Sequence, residues 1–219
     1  MADPITNYAT LSAAVQAYLA RPDLQEFVPI FVRQAEGRFN TDLKVVDMHK
    51  STGPVDLADG SAPLPTDFID WVAVEWKAPA GSPQRPLMLR YVEADAPEFR
   101  FRHRPNGPAQ FYTVTAGKVR VVPASAGKLE MTYYARIPAL TDAAPTNWLL
   151  TKAPEVYLYG VLMEAALFQK DEGRAAQYLG LIKDRLGAIF GQADTQKTGV
   201  RTTRPIVDAA EASAAKATN

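Results

Sequence analysis

The sequence has no cysteine, only two histidines and no excess of either charge. Without cysteine the chain has no disulfide framework and no thiolate metal site, which fits a protein made in the cytosol. Lys and Arg number 24, as do Asp and Glu, so no net field draws the free chain towards DNA or an anionic membrane. The first residues also lack the basic start and apolar run of a signal peptide. We therefore expect no export by that route.

No apolar run is long enough to cross a bilayer. The longest, residues 156–168, includes Gly160 and Glu164 and falls well short of the roughly 20 residues that a spanning helix needs. Hydrophobic residues make up 47% of the 219 positions, which predicts a folded body with a substantial core. No repeat of solenoid or propeller length is visible. These features predict a globular protein without a membrane partner.

Helical periodicity dominates residues 1–51. Thr10 is the expected N-cap of a short helix that ends near Pro22, because the residue before a proline avoids helical backbone angles. A second helix has Pro29 in its first turn. Its apolar face is predicted to consist of Phe31, Ala35, Phe39 and Leu43. The two segments together predict an αα-hairpin.

Residues 52–147 read as a β-rich region. Short runs of β-branched and aromatic residues alternate there with glycine and proline, a pattern typical of strands joined by turns. The pair Ala116-Gly117 predicts a tight hairpin, since glycine accepts the positive φ of such turns. Strands are expected near residues 70–76, 87–91, 111–115, 118–122 and 129–135.

Helix returns in residues 148–193, and residues 194–219 form a separate tail. Thr151 is the expected N-cap, with Pro154 in the first turn of a helix that is apolar almost all round and hence buried. An amphipathic helix follows and is expected to end at Gly191. The polar tail buries too little surface to order alone and predicts a flexible, extended segment. The predicted fold is α+β: the αα-hairpin and two C-terminal helices form a bundle, with an antiparallel β-sheet insertion and an extended C-terminal tail.

The chain shows no recognised catalytic pattern. His49 and His103 lack the partners of a zinc-hydrolase helix, and neither a nucleophile elbow nor a phosphate-binding glycine loop occurs. We predict no catalytic residue, no metal and no cofactor. Paired carboxylates are the hardest signal to exclude, because sequence spacing does not reveal their separation. The nearest candidates are Asp67 with Asp70, and Glu155 with Glu164. Asp67 reads better as a turn residue, and Glu164 as a helical position that needs a polar partner.

Basic and aromatic residues interleave in residues 100–104, where Arg100, Arg102 and Arg104 alternate with Phe101 and His103. Surfaces of this kind follow phosphates and stack on bases, which suggests contact with DNA. The alternatives are a solvated loop or a contact between subunits, and the neutral chain favours them. The tryptophans are expected in the core rather than in a binding site. They are Trp71, Trp76 and Trp148.

Several segments, read in order, resemble the head-to-tail adaptor (connector) proteins of tailed bacteriophages, particularly those of short-tailed phages. The resemblance covers most of the body and little of the tail. Its segments include ITNYATL at 5–11, AEGRFN at 35–40, LPTDF at 64–68, TNWLL at 146–150, PEVYLYG at 154–160 and EAA at 164–166.

The resemblance implies a structural virion protein, made in the host cytoplasm and located at the head-tail interface. It implies that twelve copies form a ring on the portal protein after genome packaging. That ring would extend the DNA channel and carry the downstream tail or nozzle proteins, with DNA only in transit. From the residues, we expect the tail to grip the portal or a neighbouring subunit through Val200, Arg201, Arg204, Ile206 and Val207.

Two other functions stay open at this point. A virion-associated peptidoglycan hydrolase would use the carboxylates named above. A DNA-contacting module would use Arg100, Arg102 and Arg104, which in a ring could instead line the channel or a seam between subunits.

Overall fold

The computed structural model describes residues 4–97 and 107–198, and within these ranges the fold is α+β, as predicted. The described ranges contain five α-helices and eight strands. The helices are α1 (Tyr8–Leu19), α2 (Val28–Asp42), α3 (Trp148–Lys152), α4 (Pro154–Phe168) and α5 (Glu172–Thr198). The strands are β1 (His49–Asp56), β2 (Ser61–Pro63), β3 (Phe68–Lys77), β4 (Leu87–Met88), β5 (Arg90–Tyr91), β6 (Phe111–Thr115), β7 (Lys118–Val122) and β8 (Lys128–Ala135).

The first helix begins with a capping box. Asn7 is the N-cap, and its side-chain oxygen accepts a hydrogen bond of 2.9 Å from the Thr10 backbone. The Thr10 hydroxyl in turn accepts the Asn7 N–H at 3.0 Å. The expectation that Thr10 is the N-cap was therefore wrong, because Thr10 lies three residues inside the helix and completes the box from the other side.

Helix α4 lies at the centre of the bundle, with α1, α2 and α5 packed on it. The predicted apolar face of the second helix is buried, including Leu43 just past its end. Gly160 permits the close approach of α2, because a Cβ there would stand 2.4 Å from Cζ of Phe39. The Phe39 ring also meets the Tyr157 ring edge-on, with centroids 5.4 Å apart. The mainly apolar sequence of α4 thus reflects contact with helices on several sides.

The β-region forms two four-stranded sheets rather than one. Sheet 1 has the order β1-β8-β3-β4 and sheet 2 the order β2-β7-β6-β5. Pairing is antiparallel except between β5 and β6, which are parallel. The chain passes from sheet 1 to sheet 2 twice, at residues 57–60 and again at Leu89, so two corners join the sheets. Between them lies a second core that includes Val74, Trp76, Leu129, Met131, Tyr112, Val119 and Val121.

The predicted strands are present, except that the one near residues 87–91 is divided at Leu89 into β4 and β5, which lie in different sheets. The Ala116-Gly117 hairpin is confirmed by positive φ angles of 50° and 68°. Sequence reasoning missed β1 and β2. The β1 sequence contains Gly53 and Pro54, and its pairing with β8 shifts register between Ser51 and Pro54. A bulged edge strand of this composition has no clean apolar alternation to reveal it.

The C-terminal helical region begins and ends at residues other than those expected. Asn147, not Thr151, is the cap: it caps the short helix α3, and Thr151 lies inside that helix. Pro154 does stand in the first turn of α4, as predicted. Helix α5 continues past Gly191, the expected end, to Thr198. The remaining tail residues, 199–219, lie outside the described residues.

Trp76 is confirmed as a core residue, since it is 2% exposed and its indole N–H donates to the Ala126 carbonyl at 3.2 Å. Trp71 and Trp148 are half-buried against the two cores. Among the described residues, no helix combines the length and apolar character needed to span a bilayer.

Candidate assembly surfaces

The residues expected to bind partners lie outside the described residues. This holds for the interleaved arginines Arg100, Arg102 and Arg104, and for the tail residues Val200, Arg201, Arg204, Ile206 and Val207. Their roles therefore stay predictions. Of the two histidines, His49 begins β1 and packs edge-on against the Tyr134 ring at 4.7 Å, whereas His103 also lies in an undescribed range.

Each carboxylate considered for catalysis is held by a cation. Asp67 pairs with Lys50 at 2.7 Å, and Asp70 pairs with Lys44. The other two pair with arginines on neighbouring helices. The Arg185 Nε lies 2.8 Å from the Glu155 carboxylate, and the Arg38 Nε lies 2.8 Å from the Glu164 carboxylate. The prediction that Glu164 needs a polar partner is confirmed, because its side chain is 8% exposed and Arg38 supplies the charge.

The surroundings of Asp67 and Asp70 favour their ionised forms. Partial burial acts to raise the pKa of Asp67, but hydrogen bonds from Lys50 and the Tyr133 hydroxyl outweigh it and lower that pKa. Hydrogen bonds from Lys44 and the Trp71 N–H lower the pKa of Asp70. A general acid needs the opposite shift, towards neutral pH. These two carboxylates are therefore suited to ion pairing rather than to proton donation.

Two open clefts flank the outer end of α2. One, of about 460 Å³, lies between α2 and β3, and Asp70 is the one carboxylate among its described lining residues. The other, of about 400 Å³, is lined by Asp42, Glu164 and Arg38. Arg38 forms an ion pair with Glu164 there. In the described part of the chain, no three His, Asp or Glu side chains gather as a metal site.

A buried polar network, which sequence reasoning missed, joins the bundle to the segment that leaves the sheets. Glu36 is 5% exposed, and its carboxylate accepts the Leu140 N–H at 2.7 Å and the Tyr157 hydroxyl at 3.1 Å. Asn147 donates to the Tyr157 oxygen and to the Pro138 carbonyl, each at 2.7 Å. The only signal for it in the sequence was a charged residue within an apolar helical face.

The network is electrostatically distinct from the surface ion pairs. Burial raises the pKa of the Glu36 carboxyl, although its two hydrogen-bond donors oppose the shift. Burial and the Glu36 charge likewise raise the pKa of the Tyr157 phenol. No described cation forms an ion pair with Glu36, so its burial is compensated mainly by these hydrogen bonds, with a smaller attraction from Arg33. Such a satisfied network fixes one geometry, which is a structural role.

An aromatic group is exposed at one end of the bundle. Phe168, at the end of α4, is 52% exposed and lies 5.2 Å from the Phe27 ring and 5.5 Å from the Phe31 ring. Leu167 beside it is 42% exposed, and Ile30, one turn from Phe27, is 50% exposed. We call Phe27, Ile30, Leu167 and Phe168 the bundle-end patch. Clustered exposed apolar residues mark interaction sites, unlike apolar residues scattered singly.

A second exposed apolar group lies where the chain crosses between the sheets. Leu87 and Met88 in β4 and Tyr91 in β5 are exposed, while Leu89 between them is buried. We call the three exposed residues the corner patch. Leu87 and Met88 border a cleft of about 250 Å³ next to Phe111. Among the described strands, β4 pairs only with β3, so its other edge is open to a partner.

Comparison with known families agrees with an assembly role. The family model described as SU10 adaptor protein matches residues 6–206, which is most of the chain. No curated protein matches the sequence.

Proposed function

The chain belongs to the SU10 adaptor protein family, and from this membership we propose that it is the head-to-tail adaptor of a tailed phage. In this role it binds the portal protein as a ring, extends the channel through which DNA passes and carries the next tail component. It is located in the virion at the head-tail interface, and its work is assembly rather than catalysis. The observation that carries the proposal is the family match over residues 6–206.

Two structural features support a ring. A cyclic contact between identical subunits is head-to-tail when each subunit offers two unlike surfaces. The bundle-end patch, built from helix ends, and the corner patch, built from strands, are two such surfaces. Neighbouring adaptor subunits are therefore proposed partners, together with the portal and the downstream tail or nozzle protein.

The hydrolase alternative has no observation in its favour. The candidate carboxylates are held in ion pairs, and the pKa values of Asp67 and Asp70 are lowered. A zymogram on peptidoglycan tests it directly. A cleared band that disappears on Glu164→Gln, while the variant keeps its folded circular dichroism spectrum, would establish that activity.

Electron microscopy of the purified chain with and without portal tests the adaptor role. We expect rings on portals and subunits alone in the absence of portal. Deleting residues 199–219, which begin just after α5, should abolish portal binding and leave the circular dichroism of the body unchanged. This follows if the tail, through Val200, Arg201, Arg204, Ile206 and Val207, is the grip.

The controls separate the tail from the role as a whole. A full-length chain that never associates with portals would contradict the adaptor function. A truncated chain that still forms rings on portals would contradict only the tail as the grip, and would direct attention to the two patches on the body.

A further inference from the structure

The two sheets hold their cations differently. In sheet 1, Lys50, Lys77 and Lys128 each pair with a carboxylate. In sheet 2, the cations are Arg90, Lys118 and Arg120, and none of them forms an ion pair with any described residue. Cations without carboxylate partners are available to an external anion.

The pairing register places the three cations of sheet 2 on one face. Arg120 stands opposite Thr113, and Lys118 opposite Thr115, across the β6–β7 pair. Arg90 stands beside Phe111, which shares its face with Thr113 because side chains alternate along a strand. This face points away from the core between the sheets, to which Tyr112, Val119 and Val121 belong. Lys118 and Arg120 are about 7 Å apart along the strand.

A cleft of about 270 Å³ borders this face. Its walls include Lys118, Arg120 and Ser61, whose hydroxyl is already engaged by the Ala58 carbonyl at 2.8 Å. Asp59 at its rim is the one carboxylate of the described lining. Cations therefore outnumber carboxylates around the cleft.

We propose that this face of sheet 2, defined by Arg90, Lys118 and Arg120, binds the phosphate backbone of DNA without regard to sequence. The proposal rests on the adaptor function, which brings DNA past the protein. Arg and Lys are the groups that proteins use most for phosphate contacts. The local composition agrees, since residues 85–122 hold seven Lys and Arg against three Asp and Glu in a chain that is neutral overall.

Fluorescence anisotropy with a labelled DNA duplex and the full chain tests the proposal. The site variant combines Arg90→Gln, Lys118→Gln and Arg120→Gln. The control combines Lys50→Gln, Lys77→Gln and Lys128→Gln, which removes the same charge from sheet 1. We expect the slope of log affinity against log salt to fall by about 0.9 for each phosphate that is no longer neutralised, so by up to about 2.7 in the site variant. The control should keep the slope of the unaltered chain.

Three results would overturn the proposal. An equal reduction of affinity in both triple variants would mean that only net charge matters. No binding of the unaltered chain even at low salt would remove the site. Competition by polyglutamate as strong as by unlabelled DNA would assign the face to an acidic protein surface. Thermal unfolding of both variants confirms that they are folded.

Portal assembly separates this inference from the adaptor role: a site variant that still forms rings on portals but no longer binds DNA affects the inference alone.

Discussion

The bundle and the sheets place their carboxylates in opposite environments. In the bundle, Glu36 is buried and is held by two neutral donors, from Leu140 and Tyr157. At the sheets, Asp67 and Asp70 stand at the surface and are held by lysines. Burial raises the pKa of Glu36, whereas cationic partners lower the pKa of both aspartates. The same type of group therefore fixes geometry in one layer and contributes modest surface attraction in the other.

The buried network has a clear mechanical position. Residues 136–147 lead from the last strand to the helices, and the network holds this segment at three points. Asn40 accepts the Ile137 N–H at 2.8 Å, Glu36 accepts Leu140, and Asn147 donates to Pro138. The junction between sheets and bundle is thus fixed by polar contacts as well as by apolar packing. In the proposed ring, this fixed junction would hold the bundle-end patch and the corner patch at one angle.

The largest expected loss of stability comes from disrupting the buried network in the bundle with Asn147→Ala. The change removes the cap of α3 and two donated hydrogen bonds, and it leaves buried partners unsatisfied. We expect the free energy of unfolding to fall by about 3 kcal/mol. The matched control is Asn7→Ala, which removes the cap of α1 with the same 2.9 Å bond near the surface and should cost about 1 kcal/mol. Urea unfolding of both variants measures the difference; equal destabilisation would contradict a special role for the network.

For Glu36→Gln we expect a smaller change in the free energy of unfolding, on the order of 1 kcal/mol. The amide oxygen can accept both hydrogen bonds without burying a charge. Because the pKa of Glu36 is raised on folding, the carboxyl contributes most stability below its unfolded pKa and loses it as pH rises through the folded pKa. As the pH rises from acidic to neutral, the stability of the variant should therefore increase relative to that of the unaltered protein. Urea unfolding at several pH values measures this, and a gain that grows towards acid would contradict the assignment.

The smallest effect is expected for Asp67→Asn, about 0.5 kcal/mol at neutral pH, because the pair with Lys50 is partly exposed. The pH dependence of this contribution is opposite to that of Glu36. The pKa of Asp67 is lowered on folding, so its contribution is present above the unfolded pKa and disappears as pH falls through the folded pKa. The same pH series should show the unaltered protein losing its advantage in acid. An advantage that persists at low pH would indicate the Tyr133 hydrogen bond rather than charge.

Sequence reasoning predicted most elements and few of their partners. The apolar face of α2 and the strands from β3 to β8 were predictable because each has its own periodicity or turn residues. Strand β1 was missed because Gly53 and Pro54 interrupt it, and it exists only by pairing with β8. Asn147 was missed as a cap because Thr151, four residues later, fits the same preference. In the candidate assembly surfaces, exposure of Phe168 or Met88 could not be predicted, since an apolar residue carries no sign of whether a neighbour covers it.

The sequence by itself determined the class of fold, the faces of the helices, the hairpin at Ala116-Gly117 and the need of Glu164 for a partner. These are local properties, set within a few residues by backbone preference and by the cost of burying charge. Only the tertiary structure decided that the partner of Glu164 is Arg38 and that Tyr157 and Leu140 satisfy Glu36. It also decided that the strands form two sheets, in one of which the cations pair with carboxylates while those of the other do not pair with any described residue. Each of these joins residues far apart in the chain, and such contacts depend on how whole elements pack, which no local pattern specifies.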